Sequence, residues 1–176
     1  MEKSIDLNGD LSLVDKITQE FFSASSKFGI ASEQERMQPN LMSPLTLAFI
    51  GDCIFDLVVR TVVVENGNAP VNKLHRRAAH YVKAPSQMLM LNMIKEELTD
   101  DEMAVFKRGR NAKSYTSAKN ASITEYRIAT GFEALIGYLY LNQQFDRALY
   151  LLHLGIERFD KAENESKQQE MTSDQE

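Results

Sequence analysis

Cysteine is nearly absent from this chain: Cys53 is the only one among 176 residues. A single thiol excludes an internal disulfide framework, and it also excludes a zinc site built from cysteines, because both need at least a second thiol. Such cysteine usage is typical of a reducing compartment. We therefore expect a cytoplasmic protein.

Long apolar segments are absent as well. No run of about 18 apolar residues without a charge occurs, and a membrane-spanning helix needs roughly that length. The N-terminus, MEKSIDLNGD, contains acidic residues and lacks the apolar region of a secretory signal. The sequence thus predicts a soluble intracellular chain with no membrane partner.

Several enzyme signatures are missing. The sequence contains no internal repeat and no glycine-rich phosphate loop, and its three histidines, His75, His80 and His153, are not near an obvious nucleophile. We expect the first two on a basic helix and His153 on the surface of the last helix. These absences disfavour a P-loop and disfavour catalysis by Ser/His/Asp or Cys/His groups.

Helix signals are abundant, whereas strand signals are almost absent, so the sequence predicts an all-α fold. Ser43-Pro44 and Asn66-Gly67 predict the two ends of one long helix, Leu45 to Glu65. This helix is apolar on nearly every face, and we expect it to be the central, buried one. Further helices are predicted at Val71 to Val82, Ser86 to Leu98, Thr99 to about Arg108, from the Ser122 capping box onward, and from about Phe145 to Phe159.

Composition divides the chain into three parts. Residues 1–40 are predicted to be an N-terminal extension with one amphipathic helix, Leu11 to Phe22, and a polar linker. Residues 41–160 form the helical domain, which is long enough for one real core. Residues 161–176 have no large apolar side chain except Met171, so we expect a disordered polar tail that cannot offset its ordering entropy by burial.

Two acidic residues lie inside apolar runs, Asp52 in LAFIGDCIFDLVVR and Glu133 in ATGFEALIGYLYL. An unpaired buried carboxylate costs several kcal/mol, so each must be paired, hydrogen-bonded, metal-bound or at the lip of a cleft. The neighbouring Gly51, Gly131 and Gly137 each cost a helix about 1 kcal/mol relative to alanine, which indicates close approach of a second helix or a ligand. Tight helix packing with Asp52 in a salt bridge explains the pattern about equally well.

A functional hypothesis brings Asp52 and Glu133 together where the two most apolar helices meet. Carboxylate oxygens with open positions for water and phosphate suit Mg²⁺. Asp56, in contrast, is expected to form an ordinary helical ion pair with Arg60, four residues further on.

The charge of the chain is unevenly distributed. The net charge is -5, but the segment Val71 to Lys119 contains ten basic residues against five acidic ones and is therefore net positive by five. Magnesium beside a basic segment suggests chemistry on a phosphodiester. A basic helix C-terminus is also favoured by the helix dipole alone.

These motifs resemble the Mini-III ribonucleases, short members of the ribonuclease III family that lack a separate double-stranded-RNA-binding domain. Three motifs occur in the family's order between about Leu41 and Leu154: LAFIGDCIFDLVVR, KRGRNAKS and YRIATGFEALIGYLYL. The resemblance implies that residues 41–160 form a homodimeric, all-helical, magnesium-dependent catalytic domain that cleaves both strands of duplex RNA. It also implies maturation of the ends of the large-subunit (23S) ribosomal RNA precursor.

The resemblance also assigns roles to individual residues. Asp52 and Glu133 match the family's catalytic, metal-binding carboxylates, while Ala48 and Thr130 occupy the positions of two further carboxylates in full-length members, as in Mini-III enzymes. The number of bound metal ions therefore stays open. Phe49 matches an aromatic residue of the dimer interface; the alternative is that it fills the core of its own subunit.

Basic residues are expected to contact the RNA through phosphates and 2′-hydroxyls. The RNA-binding candidates are Lys107, Arg108, Arg110, Asn111, Lys113 and Lys119, with Lys73, Arg76 and Lys83 as weaker candidates that a solvated helix face explains almost as well. The main rival is a non-catalytic ribonuclease III-like module that binds RNA during ribosome assembly. A purely structural helical dimer would bind neither RNA nor metal.

Overall fold

The computed structural model describes residues 37–113 and 121–173, together with Glu20 and Ser23, with side chains as far as Gln169. These parts of the chain contain helices and no strand, which confirms the all-α prediction. The helices are α1 (Pro44–Glu65), α2 (Val71–Val82), α3 (Ala84–Ile94), α4 (Asp100–Arg110), α5 (Ile123–Leu141) and α6 (Phe145–Ser173), with 3₁₀ turns at Pro39–Leu41 and Lys95–Glu97. Of the helix predicted at Leu11 to Phe22, all residues but Glu20 lie outside the described residues, so the structure does not test it.

The helix starts follow local capping chemistry. Ser43 caps α1 through its side chain. Thr99 and Ser122 form complete capping boxes with Glu102 and Glu125 at the starts of α4 and α5. These side chains satisfy backbone N–H groups that have no partner within the helix, so the predicted starts are confirmed.

Helix α5, not α1, is the centre of the domain, because it packs against α1, α3, α4 and α6. Its fully buried side chains include Phe132, Leu135, Ile136 and Leu139. Helix α1 leaves Phe49, Leu57 and Val64 exposed. The prediction that α1 is the central, buried helix is therefore wrong, since one apolar face of α1 is not covered by the described chain.

Helix α6 is longer than predicted. We expected it to end near Phe159 with a disordered tail from Lys161, but the helix continues to Ser173. No proline or glycine follows Phe159, and Lys167 lies 3.5 Å from the carboxylate of Glu163 one turn earlier. The predicted end is wrong because helix propensity and extension from an already buried helix favour order even without further apolar burial.

A buried ion pair fixes the start of α4 against α6. The carboxylate of Glu102 accepts hydrogen bonds from Nε and Nη2 of Arg147 at 2.8 and 2.9 Å. Burial by itself raises the pKa of Glu102, but hydrogen bonds from Arg147 and Thr99 outweigh it, so the pKa lies below its ordinary value. The pair is therefore ionised at neutral pH and locates the helix that carries the basic residues.

Helices α1 and α5 cross with their backbones in contact. A Cβ atom added to Gly51 would overlap the carbonyl oxygen of Glu133 and would lie 2.8 Å from the nitrogen of Gly137. A Cβ atom at Gly137 would overlap the carbonyl group of Leu47. The close approach expected from these glycines is thus between two helices, and a side chain at either position would force them apart.

No described helix has both the length and the apolar composition needed to cross a lipid bilayer.

The backbone contact generates a stability prediction. We expect Gly51→Ala to lower the free energy of unfolding by about 2 kcal/mol or more, because only displacement of a helix can relieve the overlap. The matched control is Gly155→Ala on α6, where the added Cβ would lie 3.3 Å from Cβ of Met90, so a movement of a few tenths of an ångström relieves the contact. Urea unfolding followed by far-UV circular dichroism measures both variants. Wild-type stability of Gly51→Ala would contradict the contact.

Candidate active site

The α1–α5 crossing brings together Asp52, the residue after Gly51, and Glu133, whose carbonyl oxygen faces Gly51. The charge of Asp52 is one cause of the raised pKa of Glu133, so the two carboxylates are close enough to interact electrostatically. The described residues include no lysine or arginine paired with Asp52, and its pKa is raised, first by burial and then by the charge of Asp56. Packing with Asp52 in a salt bridge is therefore not what the structure contains.

The two carboxylates have different surroundings. Asp52 remains exposed to solvent although neighbouring groups partly desolvate its carboxylate, whereas Glu133 is largely buried. Burial raises the pKa of Glu133 to about 7; the Asp52 charge adds to this effect, and a hydrogen bond from Gln87 opposes it. Without a cation, Glu133 therefore exchanges its proton near neutral pH, and a bound cation would favour the ionised form.

Gln87 is a part of this site that the sequence analysis did not identify. Its Nε2 donates to Oε1 of Glu133 at 3.0 Å and to the carbonyl oxygen of Val82 at 3.2 Å. The side chain is only 2% exposed. The sequence signal for Gln87 is weak: it is a neutral polar residue directly before the apolar stretch MLML.

The donor set fits a partly hydrated magnesium ion. Among the described residues, no group of three or more His, Cys, Asp and Glu could hold a metal ion, so a metal at this site would have only the pair Asp52 and Glu133 as candidate donors. Ala48 supplies no ligand, and the hydroxyl of Thr130 donates to the carbonyl oxygen of Tyr126 in its own helix at 3.0 Å. Mg²⁺ commonly uses one or two carboxylates and keeps several waters, so two acids suffice.

The end of α4, which carries basic residues, packs against α5 less than one helical turn before Glu133. A Cβ atom at Gly109 would lie 2.9 Å from Cα of Gly131, two residues before Glu133. The exposed side chains here are Lys107, Arg108, Asn111 and Lys113. A substrate that contacts this end of α4 would thus lie near the carboxylates.

Two of the arginines also have partners within the chain. Nη1 of Arg108 donates to the carbonyl oxygen of Asn40 at 2.7 Å, and the guanidinium of Arg110 lies 5.8 Å from the ring centroid of Phe106. Arg108 therefore has a structural contact in addition to any RNA contact. Lys119 lies outside the described residues.

The weaker basic candidates lie on α2 and directly before α3. Lys73 and Arg76 are exposed on α2, and the exposed Lys83 directly precedes α3. The carbonyl oxygen of Lys83 accepts a hydrogen bond from the backbone N–H of Gln87 at 2.9 Å. Of these three residues, Lys83 therefore has the direct connection to the carboxylate site.

The structure also locates the remaining sequence candidates. Phe49 is 76% exposed, so the alternative that it fills its own subunit's core is wrong. Asp56 pairs with Arg60, as expected for a helical ion pair. His75 and His80 lie on α2, and His153 is exposed on α6, which confirms their predicted helices.

Comparison with known proteins defines the class to which this helical domain and its acidic pair belong. The family profile described as "Ribonuclease III domain" matches residues 45–144, which include Asp52 and Glu133. The chain belongs to the ribonuclease III family, and its activity is that of an endoribonuclease.

Within that family the chain is similar to the Mini-ribonuclease 3 proteins. It is 43% identical to Mini-ribonuclease 3 of Clostridium tetani over 137 residues, which cover 77% of this chain and 91% of the relative. It is 46% identical to the Thermoanaerobacter sp. protein of that name over 116 residues, 66% of this chain and 82% of the relative. These matches and the single ribonuclease III domain place it in the catalytic-domain-only subgroup that the sequence motifs resemble.

A solved structure supports the fold assignment. The crystal structure of a protein from Fusobacterium nucleatum matches with a TM-score of 0.60 and 28% sequence identity, covering 66% of this chain and 93% of that chain. The helical ribonuclease III-like fold predicted from the sequence is thereby confirmed.

The raised pKa of Glu133 generates a pH prediction for the metal-free protein. Its pKa is about 7 in the folded state against an ordinary value of 4.5, so the bound proton stabilises the fold fully below pH 4.5. This stabilisation is lost as the pH rises through about 7. In Glu133→Gln the side chain at position 133 does not titrate, so this variant lacks the pH-dependent stabilisation. We expect the free energy of unfolding of the wild type, relative to Glu133→Gln, to fall by about 1–3 kcal/mol between about pH 5 and about pH 8.

Urea unfolding in a metal chelator at several pH values measures this difference. The comparison removes the contributions of titrating groups that lie far from Glu133, because the two proteins share them. A difference that stays constant across this pH range would contradict the raised pKa.

Proposed function

We propose that the chain is a magnesium-dependent endoribonuclease that cleaves both strands of double-stranded RNA. The main support for this proposal is the Asp52–Glu133 pair at the α1–α5 crossing, in a chain of the ribonuclease III family. Both carboxylates have a raised pKa, that of Glu133 through burial and the charge of Asp52 and that of Asp52 through burial and the charge of Asp56, and a site of this kind is suited to a divalent cation.

Asp52 and Glu133 would hold the ion, with water in the remaining positions. When bound, Mg²⁺ supplies an activated water for in-line attack on phosphorus and stabilises charge on the departing oxygen, giving 5′-phosphate and 3′-hydroxyl products. Asp52 is exposed and therefore accessible to the phosphodiester, whereas Glu133 is largely buried and held by Gln87. Both carboxylates must be ionised to bind a cation, so binding displaces the proton that burial favours on Glu133.

Duplex RNA would be bound through the basic end of α4 and the residues that follow it. Double-stranded RNA is recognised mainly by its shape and by phosphate and 2′-hydroxyl contacts, for which exposed lysines and arginines suffice. We further propose a cytoplasmic role on the 23S ribosomal RNA precursor, which rests on the resemblance to Mini-III enzymes.

The rival function is a non-catalytic RNA-binding module associated with ribosome assembly. That function requires the same fold and basic residues but no metal-binding carboxylates. The pairing of Asp52 with Glu133 favours the enzyme.

Incubation of the purified protein with long duplex RNA, with and without magnesium, tests the proposal. We expect cleavage only with the metal, and a loss of at least about a hundredfold in Asp52→Asn and in Glu133→Gln. Glu65→Gln, which neutralises an exposed carboxylate in the last turn of α1, is the control and should retain the wild-type rate. Binding without cleavage would support the rival, and neither binding nor cleavage would reject both functions.

A second prediction concerns the binding surface. Replacing Arg108, Arg110 and Lys113 together with glutamine should weaken duplex binding and reduce the slope of log K against log salt concentration by about one to three, since fewer counterions are released. Fluorescence anisotropy in metal-free buffer measures binding without cleavage.

The control for that variant changes lysines elsewhere. Lys95, Lys161 and Lys167 are exposed, and replacing all three with glutamine makes the same change in net charge. Circular dichroism checks that loss of the Arg108–Asn40 hydrogen bond has not unfolded the first variant. Equal slopes in the two triple variants would exclude the α4 segment as the binding surface.

We also propose that the protein is a homodimer whose interface includes Phe49. Phe49 and Leu57 are 76% and 61% exposed, and both lie on α1, two turns apart, with Leu45 one turn before Phe49 at 37%. In a dimer with two-fold symmetry, this apolar face of each subunit would be buried against the same face of the other subunit. Two active sites in one dimer would account for cleavage of both strands.

We expect Phe49→Asp to give a folded, helical monomer with little activity, because the charge would be desolvated at the interface and not in the core. Sedimentation measures the oligomeric state. Val71→Asp changes a residue that is 62% exposed on α2 and should leave the dimer intact. Sedimentation of the wild type as a monomer at micromolar concentration would reject the dimer.

A further inference from the structure

We propose that Gln87 is a positioning residue for Glu133: its amide holds Oε1 of that carboxylate and leaves Oε2 as the oxygen that faces the metal. This inference rests on the proposed function, because it assigns a role within the same magnesium site. It concerns a side chain that neither touches the reacting atoms nor carries charge.

Gln87 connects three helices at the site. It lies in the first turn of α3, and its Nε2 reaches the carbonyl oxygen of Val82 at the end of α2 and Oε1 of Glu133 on α5. Its backbone N–H donates to the carbonyl oxygen of Lys83. Because the backbone at this helix start is fixed and the side chain is 2% exposed, the amide has little freedom to move.

The orientation of the amide follows from its neighbours. Both groups that it contacts, the Val82 carbonyl and the Glu133 carboxylate, are acceptors, so the NH₂ end must face them and both of its hydrogens are used. The opposite orientation would place Oε1 against two other oxygens. A carboxylate held at one oxygen by a fixed donor keeps a defined rotamer, which favours binding of a metal at the other oxygen.

The other end of the amide is not needed for the fold. Oε1 of Gln87 is buried and has no hydrogen-bond partner among the described residues. A buried acceptor without a partner opposes folding, so it offsets part of the stabilisation that the two hydrogen bonds from the NH₂ group supply. The polar side chain is therefore accounted for by what its NH₂ group does for Glu133.

If Gln87 had only a structural role, that role would be to join α2 to α3 through its hydrogen bond to Val82. That junction has a second link, because Oγ of the buried Ser86 donates to the carbonyl oxygen of His80 at 2.6 Å. Ser86→Ala therefore removes a comparable α2–α3 hydrogen bond without touching Glu133, and it is the matched control for Gln87→Leu.

The experiment measures metal binding separately from cleavage. Mn²⁺ is titrated into the metal-free full-length protein and followed by electron paramagnetic resonance, and duplex RNA cleavage is measured as a function of Mg²⁺ and RNA concentration. For Gln87→Leu we expect about tenfold weaker Mn²⁺ binding, an about tenfold higher Mg²⁺ concentration for half-maximal cleavage, and an unchanged KM for RNA. Its melting temperature should stay within about 5 °C of the wild type. Ser86→Ala should retain wild-type metal binding.

Wild-type metal binding and Mg²⁺ dependence in folded Gln87→Leu would overturn the role of Gln87 and leave the proposed function intact. An equal loss in Ser86→Ala would overturn it too. A wild-type protein that neither binds Mn²⁺ nor cleaves RNA would overturn both proposals.

If Gln87→Leu does not fold, the side-chain amide of Gln87 in the wild type is observed by ¹⁵N–¹H NMR. We expect its N–H signals to move on addition of Mg²⁺, because one of the two N–H groups donates to the Glu133 carboxylate, whose charge environment changes. Signals that do not move at saturating Mg²⁺ would overturn the proposal.

Discussion

The contact between the backbones of α1 and α5 is the constraint on which the site depends. Gly51 and Gly137 leave no space for a side chain at the crossing, so α1 lies directly against the backbone of α5 at Glu133. Asp52 follows Gly51 in the chain and is therefore carried to the same place. The glycines reduce local helix propensity, but they permit an approach that any larger residue would prevent.

That contact places two acids where electrostatics oppose their ionisation. Burial raises the pKa of Glu133 to about 7, and the charge of Asp52 adds to the effect. In an ordinary core this arrangement would be a defect. In the proposed magnesium site it is useful, because a divalent cation relieves the repulsion and the hydrogen bond from Gln87 already favours the ionised carboxylate.

The same arrangement relates the carboxylates to the surfaces proposed to bind RNA and a second subunit. Gly109 and Gly131 hold the basic end of α4 against α5 near Glu133, while the ion pair of Glu102 with Arg147 fixes the other end of α4. The exposed face of α1 that includes Phe49 belongs to the helix that carries Asp52. Substrate binding, dimerisation and metal binding would thus all depend on how α1 and α4 pack against α5.

The sequence by itself determined the helices and the two acids. Proline, glycine and the capping boxes act within a few residues of a helix end, and an acid in an apolar run is visible without a fold. Tertiary structure alone decided that α5 is central and that Gln87 contacts Glu133, 46 residues away in sequence. Extension of α6 past Phe159 was not visible in the sequence pattern, because no apolar burial accompanies it. The physical reason is that helix ends depend on local hydrogen bonds, whereas burial and side-chain partners depend on which helices meet.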